Sequence, residues 1–259
     1  MRHAWSLTAV LALLACTPAN AHAAQRVKLE VSLTPKHLGA GTTIIFGFTI
    51  ATTAGLAPSP LTEINLLYPA NLGITTSGLG LATCSAPVLE ALGPEGCPAD
   101  SRMGYGSALV EVPFGPEIIE ETAHSETFMA PVQNGNLGLL FYAEGPAPIL
   151  AQLVFPGTVQ PAPAPYGGQL DTSLPLVPSV PGAPDVAIVR LRSTIGSLHL
   201  TYYRHIRGVN VPYHPTGIIL PSTCPRHGFP FAAHFRFQNG EHANAHTTVP
   251  CPEHTKRNP

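Results

Sequence analysis

The chain has no long run with a helical apolar period; what recurs is the short alternating segment. VKLEVSL at 27–33 places an apolar side chain at every second position, as a half-buried strand requires. TTIIFGFTIA at 42–51 is rich in β-branched and aromatic residues, and LTEINLLY at 61–68 follows it. YGSALVEVPF at 105–114 alternates again, with Ala108, Val110, Val112 and Phe114 on one face. Further strands are expected over 118–129, 137–143, 150–159, 186–191 and 197–203. A helix is expected only at 86–92, APVLEAL, before the Gly93-Pro94 break. Ten or more short strands, with turns about every eight to twelve residues, predict an all-β chain folded as an antiparallel β-sandwich. No fixed-period repeat points to a propeller or a solenoid.

Composition agrees with many turns. The 259 residues include 24 glycines and 29 prolines, and 44% are apolar, enough for a core. Only 11% are charged and the net charge is −2, which gives no electrostatic reason to expect nucleic acid or an anionic membrane as partner. Residues 156–184 hold eight prolines. They read as an irregular, extended part of the same fold, in which QLDTSL at 169–174 resembles an edge strand flanked by prolines; a linker that subdivides the chain there is the other reading.

Residues 1–23 read as a secretory signal: Arg2, an apolar run from 7 to 16, and a small-residue exit at Ala21-His22-Ala23. The run is too short to span a bilayer, and no other stretch approaches about twenty apolar residues, so no transmembrane segment is expected. Leu13-Leu14-Ala15-Cys16 also resembles a bacterial lipoprotein box, which would anchor the chain at the cell surface through a lipidated Cys16. The domain would then be 24–259, secreted or surface-bound.

Four cysteines remain beyond the leader: Cys84, Cys97, Cys224 and Cys251. An even count in an exported chain reads as two disulfides. Three pairings are open; the local one, Cys84 with Cys97 and Cys224 with Cys251, is favoured because each pair brackets one compact segment. A four-cysteine zinc site is the rival, although neither pair has the short spacing that brings two thiolates onto one ion.

Several motifs occur together: YPANLGI, GCPADSRMGYGSALVEV, APYGGQL, PGAPD, CPRHGFPFAAHFRF and a closing VPCP. In these the chain resembles a group of uncharacterised secreted or surface-attached β-rich proteins of high-GC Gram-positive bacteria. They share Cys-Pro-x-x-Ser-x-apolar-Gly, here Cys97 to Gly104. The resemblance implies export, disulfides and a β-rich fold, and brings no catalytic residues with it.

Motifs that carry chemistry are sparse. Gly104-Tyr105-Gly106-Ser107-Ala108 lacks the last glycine of a hydrolase elbow, and neither a phosphate loop nor a dinucleotide fingerprint is present. Cys84 and Cys97 are disfavoured as nucleophiles because a disulfide sulfur is not a thiolate. Glu111, Glu117, Glu120, Glu121 and Glu126 form the densest acidic segment. Paired carboxylates suit a glycosidase or calcium, and a solvated strand face is the plainer reading. Trp5 lies in the leader, and Tyr202 and Tyr203 must point to opposite faces of a strand.

FPFAAHFRFQNGEHANAHTTV at 229–249 reads as a closing hairpin. A two-residue turn at Asn239-Gly240 would set the aromatic face of one arm against the polar face of the other. A three-residue loop, Gln238-Asn239-Gly240 with Gly240 left-handed, pairs Phe235 with Ala243 and His234 with Asn244, and the faces agree. His242 and His246 would share one ion on a helix, but on a strand they lie about 13 Å apart. His234, His242 and His246 are therefore weak metal candidates, and no cofactor is expected. The leading expectation is an exported, non-enzymatic structural, adhesive or ligand-binding module of the bacterial cell envelope, of unknown partner. The alternatives are a secreted hydrolase of cell-wall glycan acting through 111–126 and a histidine-based metal-binding protein.

Overall fold

The computed structural model describes residues 24–53, 57–74, 77–146 and 149–252. The leader reading over 1–23 and lipidation at Cys16 lie outside the described residues. The strands are β1 (Gln25–Thr34), β2 (Gly41–Thr52), β3 (Leu61–Pro69), β4 (Arg102–Phe114), β5 (Glu117–Gln133), β6 (Asn136–Glu144), β7 (Gln152–Pro161), β8 (Tyr166–Ser173) and β9 (Ala187–Ile195). After them come β10 (Tyr202–Ile206), β11 (Val209–Tyr213), β12 (Ile218–Ile219), β13 (Phe229–Phe237) and β14 (His242–Val249), and the one α-helix among the described residues is α1 (Ala86–Leu92).

The main sheet is antiparallel throughout, in the order β1-β2-β9-β4-β5-β6-β7-β8-β3-β13-β14, with β12 added on β2; β10 and β11 form a separate ribbon. The expected all-β antiparallel fold, with one short α-helix among the described residues, is what forms; the two facing layers expected of a sandwich are here opposite walls of one curled sheet. The sheet is continuous and curls until its outermost strands, β1 and β14, lie side by side. At that seam Gln25 Nε2 donates to Glu241 Oε2 at 3.1 Å, and Gln25 Oε1 accepts from Ser59 N at 3.0 Å. The result is a nearly closed barrel, which leaves little exposed sheet edge.

Turn chemistry sets the register of the hairpins. Asn134 and Gly135 both take positive φ, 51° and 78°, as the two-residue connection between β5 and β6 demands. Between β13 and β14 the three-residue loop is present: Gly240 has φ 84°, Phe237 N donates to Glu241 O, and Phe235 pairs with Ala243 and His234 with Asn244.

Two strand expectations change. Residues 197–201 are not strand: Leu200 N bonds to Ser197 O in a turn that holds His199 at φ 59°, and β10 starts only at Tyr202. β8 is not an edge strand, because it is hydrogen-bonded to β7 on one side and β3 on the other. The prolines of this region flank β8, and none falls between 166 and 173, so its ladder is complete on both sides.

Inside the barrel, one half is filled. Leu29 and Leu33 of β1, Phe46, Phe48 and Ile50 of β2, and Phe231, Phe235 and Phe237 of β13 form one buried cluster, with Phe48 and Phe235 edge to face at 5.1 Å. Each such side chain contributes roughly 1.5 to 3 kcal/mol on burial. A second cluster plugs one end of the barrel: Leu79, Met103, Met129, Leu139, Leu200, Tyr202 and Ile218. There the Tyr202 hydroxyl accepts from Gly80 N at 3.1 Å and donates to Arg102 O. Burial pushes this phenol up to about 12.

α1 packs on the outside of β5 and β6. Leu89, fully buried, meets Phe128, Ala130, Leu140 and Tyr142 on the outer face of the sheet. Pro87 in its first turn and Gly93 at its C-terminus, whose N–H returns to Leu89 O, confine the helix to seven residues. Cys84–Cys97 fastens this cap, with Cα atoms 5.3 Å apart. Cys224–Cys251, Cα atoms 5.8 Å apart, joins the loop entering β13 to the chain leaving β14 at the plugged end. Both are the local pairings favoured on sequence, and no zinc ligands are left among these four sulfurs.

Candidate functional site

The other half of the barrel interior is empty. A cavity of about 270 Å³ lies between β3, β4, β5, β6, β7, β8 and β9. Its origin is visible residue by residue. Where β2 and β13 point phenylalanines inward, β4 points Ala108 and Val110, β5 points Ala123, Ser125 and Thr127, and β6 ends in Ala143. These short side chains cannot reach the opposite wall, which carries Ile64, Leu66 and Tyr68 of β3 and Leu170 and Thr172 of β8. Phe141 and Phe155 stack at 5.4 Å and form a flat aromatic panel between them. Gly157 of β7 makes room for that panel, since a Cβ there would lie 2.7 Å from the Phe141 ring.

Polar groups on these walls are few. Thr127 and Thr172 are buried, and Ser125, Ser193 and Tyr68 also carry hydroxyls on the lining. The Tyr68 hydroxyl sits in the space that Gly168 leaves by lacking a side chain, and burial pushes its phenol up to about 12. Among the described residues neither lysine nor arginine lines the cavity, and His124 of β5 does.

The plugged end closes the cavity floor through Met103, Leu139 and Ile218. Its opposite end is the mouth, covered by residues 174–186. Pro178 bridges Asp185 there, Val186 N donates to Val177 O at 2.8 Å, and Gln238 Nε2 ties Asp185 to the β13–β14 loop at 2.8 Å. The strap carries Leu174, Leu176, Val177 and Val186 over the opening, with Leu176 still 40% exposed. A second cavity of about 70 Å³ adjoins the first beneath the strap and shares Val110, Ala123, Ala143, Leu153, Val177 and Val186 with it.

The acidic segment singled out on sequence is divided by strand alternation. Glu111 on β4 faces Glu120 on β5 across the ladder, on the outer surface. Burial, and secondarily Glu120, raises the Glu111 carboxyl above its ordinary value, and one Glu111 oxygen is buried without a partner. Glu126 pairs with the Arg102 guanidinium at 2.5 Å beneath the 3₁₀ turns at 94–96 and 99–101; burial raises its carboxyl and Arg102 opposes that. Glu117 is exposed at the β4–β5 turn. Glu121 alone is turned inward, toward the second cavity.

The histidines of the closing hairpin lie on its outer, exposed face. His234 Nδ1 meets Asn244 Oδ1 at 2.6 Å, His242 stands opposite Arg236, and His246 stands opposite Ala232. Among the described residues no group of three or more His, Cys, Asp or Glu is placed to hold a metal ion. Tyr202 is buried and Tyr203 exposed, as their alternation requires.

Sequence reasoning missed the cavity. Its signal is the smallness of alternate residues in YGSALVEV and ETAHSETF, where a filled barrel would carry leucine and phenylalanine. No protein-family model, no curated protein and no solved structure matches this chain, so the cavity is read from its own walls.

Proposed function

We propose that this protein is an exported ligand-binding module whose barrel holds a small apolar molecule or the hydrocarbon chain of an amphiphile. The cavity carries this reading. It is concave, lined by aliphatic and aromatic side chains with a few hydroxyls, closed at one end and strapped at the other, which are the general features of a small-molecule site. An engineered apolar cavity of about 150 Å³ already binds benzene, and this one, at about 270 Å³, is larger. The leader-like residues 1–23, the two disulfides and the resemblance to envelope-associated proteins support export to the cell surface or beyond. No helix among the described residues is long and apolar enough to cross a membrane.

The test is titration of the disulfide-intact protein with N-phenyl-1-naphthylamine, a neutral probe that fluoresces in apolar surroundings. Saturable, one-to-one enhancement is expected. Ala123→Phe, which fills the space between β5 and the opposite wall, is expected to weaken binding at least tenfold while leaving the circular dichroism spectrum unchanged. Enhancement that never saturates, or that Ala123→Phe leaves intact, would overturn the cavity as the site.

A further inference from the structure

Among the described strands, β10 and β11 stand apart from the main sheet and pair only with each other. Their ladder closes on Arg207-Gly208, at φ 49° and 84°, the two-residue turn that needs a left-handed backbone at both positions. Asparagine or glycine usually takes the first of these; an arginine there places a cation at the tip at a cost in backbone strain. One face of the ribbon carries Arg204 and Ile206 opposite Val211 and Val209. Ile206 and Val209 are 50% and 62% exposed, and Val211 is exposed beside them, so these β-branched side chains fill no core. Arg204 lies on the same face, its guanidinium 4.2 Å from the centre of the Tyr213 ring. Tyr203, also exposed, shares the other face with His205, whose Nδ1 meets Asn210 Oδ1 at 3.1 Å.

Charge on this part of the chain has one sign. Between Asp185 and Glu241 the sequence holds six arginines and neither Asp nor Glu, so the net charge of −2 hides a basic stretch with the ribbon in its midst. Among the described residues neither Arg204 nor Arg207 is ion-paired. Asp100, whose charge reaches Tyr202 at the base of the ribbon, belongs to the turn at 99–101.

We propose that the β10–β11 ribbon docks this protein on an anionic bilayer surface. Ile206, Val209 and Val211 enter the boundary between headgroups and acyl chains, while Arg204 and Arg207 meet the headgroup phosphates. The partner follows from the mixture of side chains. A phosphodiester backbone would engage the arginines and leave the aliphatic tip without a use. A two-fold contact with a second copy through this ribbon would set its cations against their own counterparts. Docking is independent of what the barrel holds.

Co-sedimentation of the disulfide-intact protein with vesicles separates the outcomes. Vesicles of equimolar phosphatidylglycerol and phosphatidylcholine are expected to bind at least about tenfold more strongly than phosphatidylcholine alone, and the difference is expected to shrink at high salt. Arg207→Asn suits the left-handed turn, so the hairpin is kept, and it is expected to lower binding to the anionic vesicles at least about threefold. Ile206→Ser combined with Val209→Ser is expected to lower it at least about tenfold, with N-phenyl-1-naphthylamine binding unchanged. Equal binding to both vesicles, binding to neither, or binding that survives both variants would overturn the proposal. Duplex DNA bound as tightly as the anionic vesicles, or a dimer broken by the double variant, would give the ribbon to another partner and overturn it as well. The comparison of the two vesicles with the unaltered protein is informative by itself, so the test does not depend on a variant folding.

Discussion

Glu111 and Glu120 show how much two neighbouring carboxyls cost a strand pair. They oppose each other across β4 and β5, and burial with the neighbour's charge raises the Glu111 carboxyl above its ordinary value of 4.5. The folded chain therefore binds that proton more tightly than the unfolded chain does. Its contribution favours folding at acid pH and is lost as pH rises from about the unfolded value through the higher folded one. Glu111→Gln is accordingly expected to raise Tm by about 2 °C at pH 7 and by nothing measurable at pH 4, in thermal melts followed by circular dichroism. A gain of the same size at both pH values would refute the electrostatic cause. At this scale, parity was readable in advance: Tyr202 inside and Tyr203 outside follow from alternation alone. Glu121 was hidden by company. Four other acids surround it in sequence, and a run of like charges reads as one solvated face until strand pairing shows which members point in.

The β13–β14 hairpin was legible down to its register because every constraint on it is local. Face matching over eight paired positions excludes the two-residue turn, and Gly240 supplies the left-handed residue that the longer loop needs. A Cβ on Gly240 meets nothing within 4 Å, so substitution is felt through φ alone. Gly240→Ala is expected to cost about 1 kcal/mol, a Tm decrease of about 2 to 4 °C, without altering probe binding. A loss as small as a few tenths of a degree would show that the loop relaxes to another turn. The helix at 86–92 was legible for a similar reason, bounded by Pro87 and Gly93-Pro94. Residues 197–201 were not, because SLHL alternates like a strand and its bend is enforced from outside: Leu198 N donates to the Thr43 hydroxyl at 3.2 Å, while Gly196 packs on Thr43. β8 reads as an edge strand because prolines flank it, yet flanking prolines take no hydrogen bond from its ladder and leave it free to pair on both sides.

On the scale of the whole molecule, the barrel trades packing for space. Half of its interior is dense with phenylalanine and half is unfilled, so adding atoms to the empty half should stabilise the fold at the expense of the site. Ala143→Leu, at the junction of the two cavities, is expected to raise Tm by about 2 to 4 °C and to weaken N-phenyl-1-naphthylamine binding at least tenfold. A variant that is less stable and binds as before would show that the wall does not face open space. None of this was legible in the sequence, because periodicity states which residues face inward but not how far away the opposite wall stands; that depends on which strands are neighbours. The strand order has a consequence of its own for how the chain is assembled. β4 to β8 form an up-and-down meander whose ladders join nearest neighbours in sequence. The frame instead waits: β2 pairs with β9, Ile44 beside Ile195, and β3 with β13, Asn65 beside His234. Loop-closure entropy makes such distant ladders late and slow. The meander that walls the cavity is therefore expected to form early, while the β2–β9 and β3–β13 ladders wait for distant strands, which leaves the second edge of β2 and both edges of β3 open to anything able to shield, or to capture, an unpaired strand.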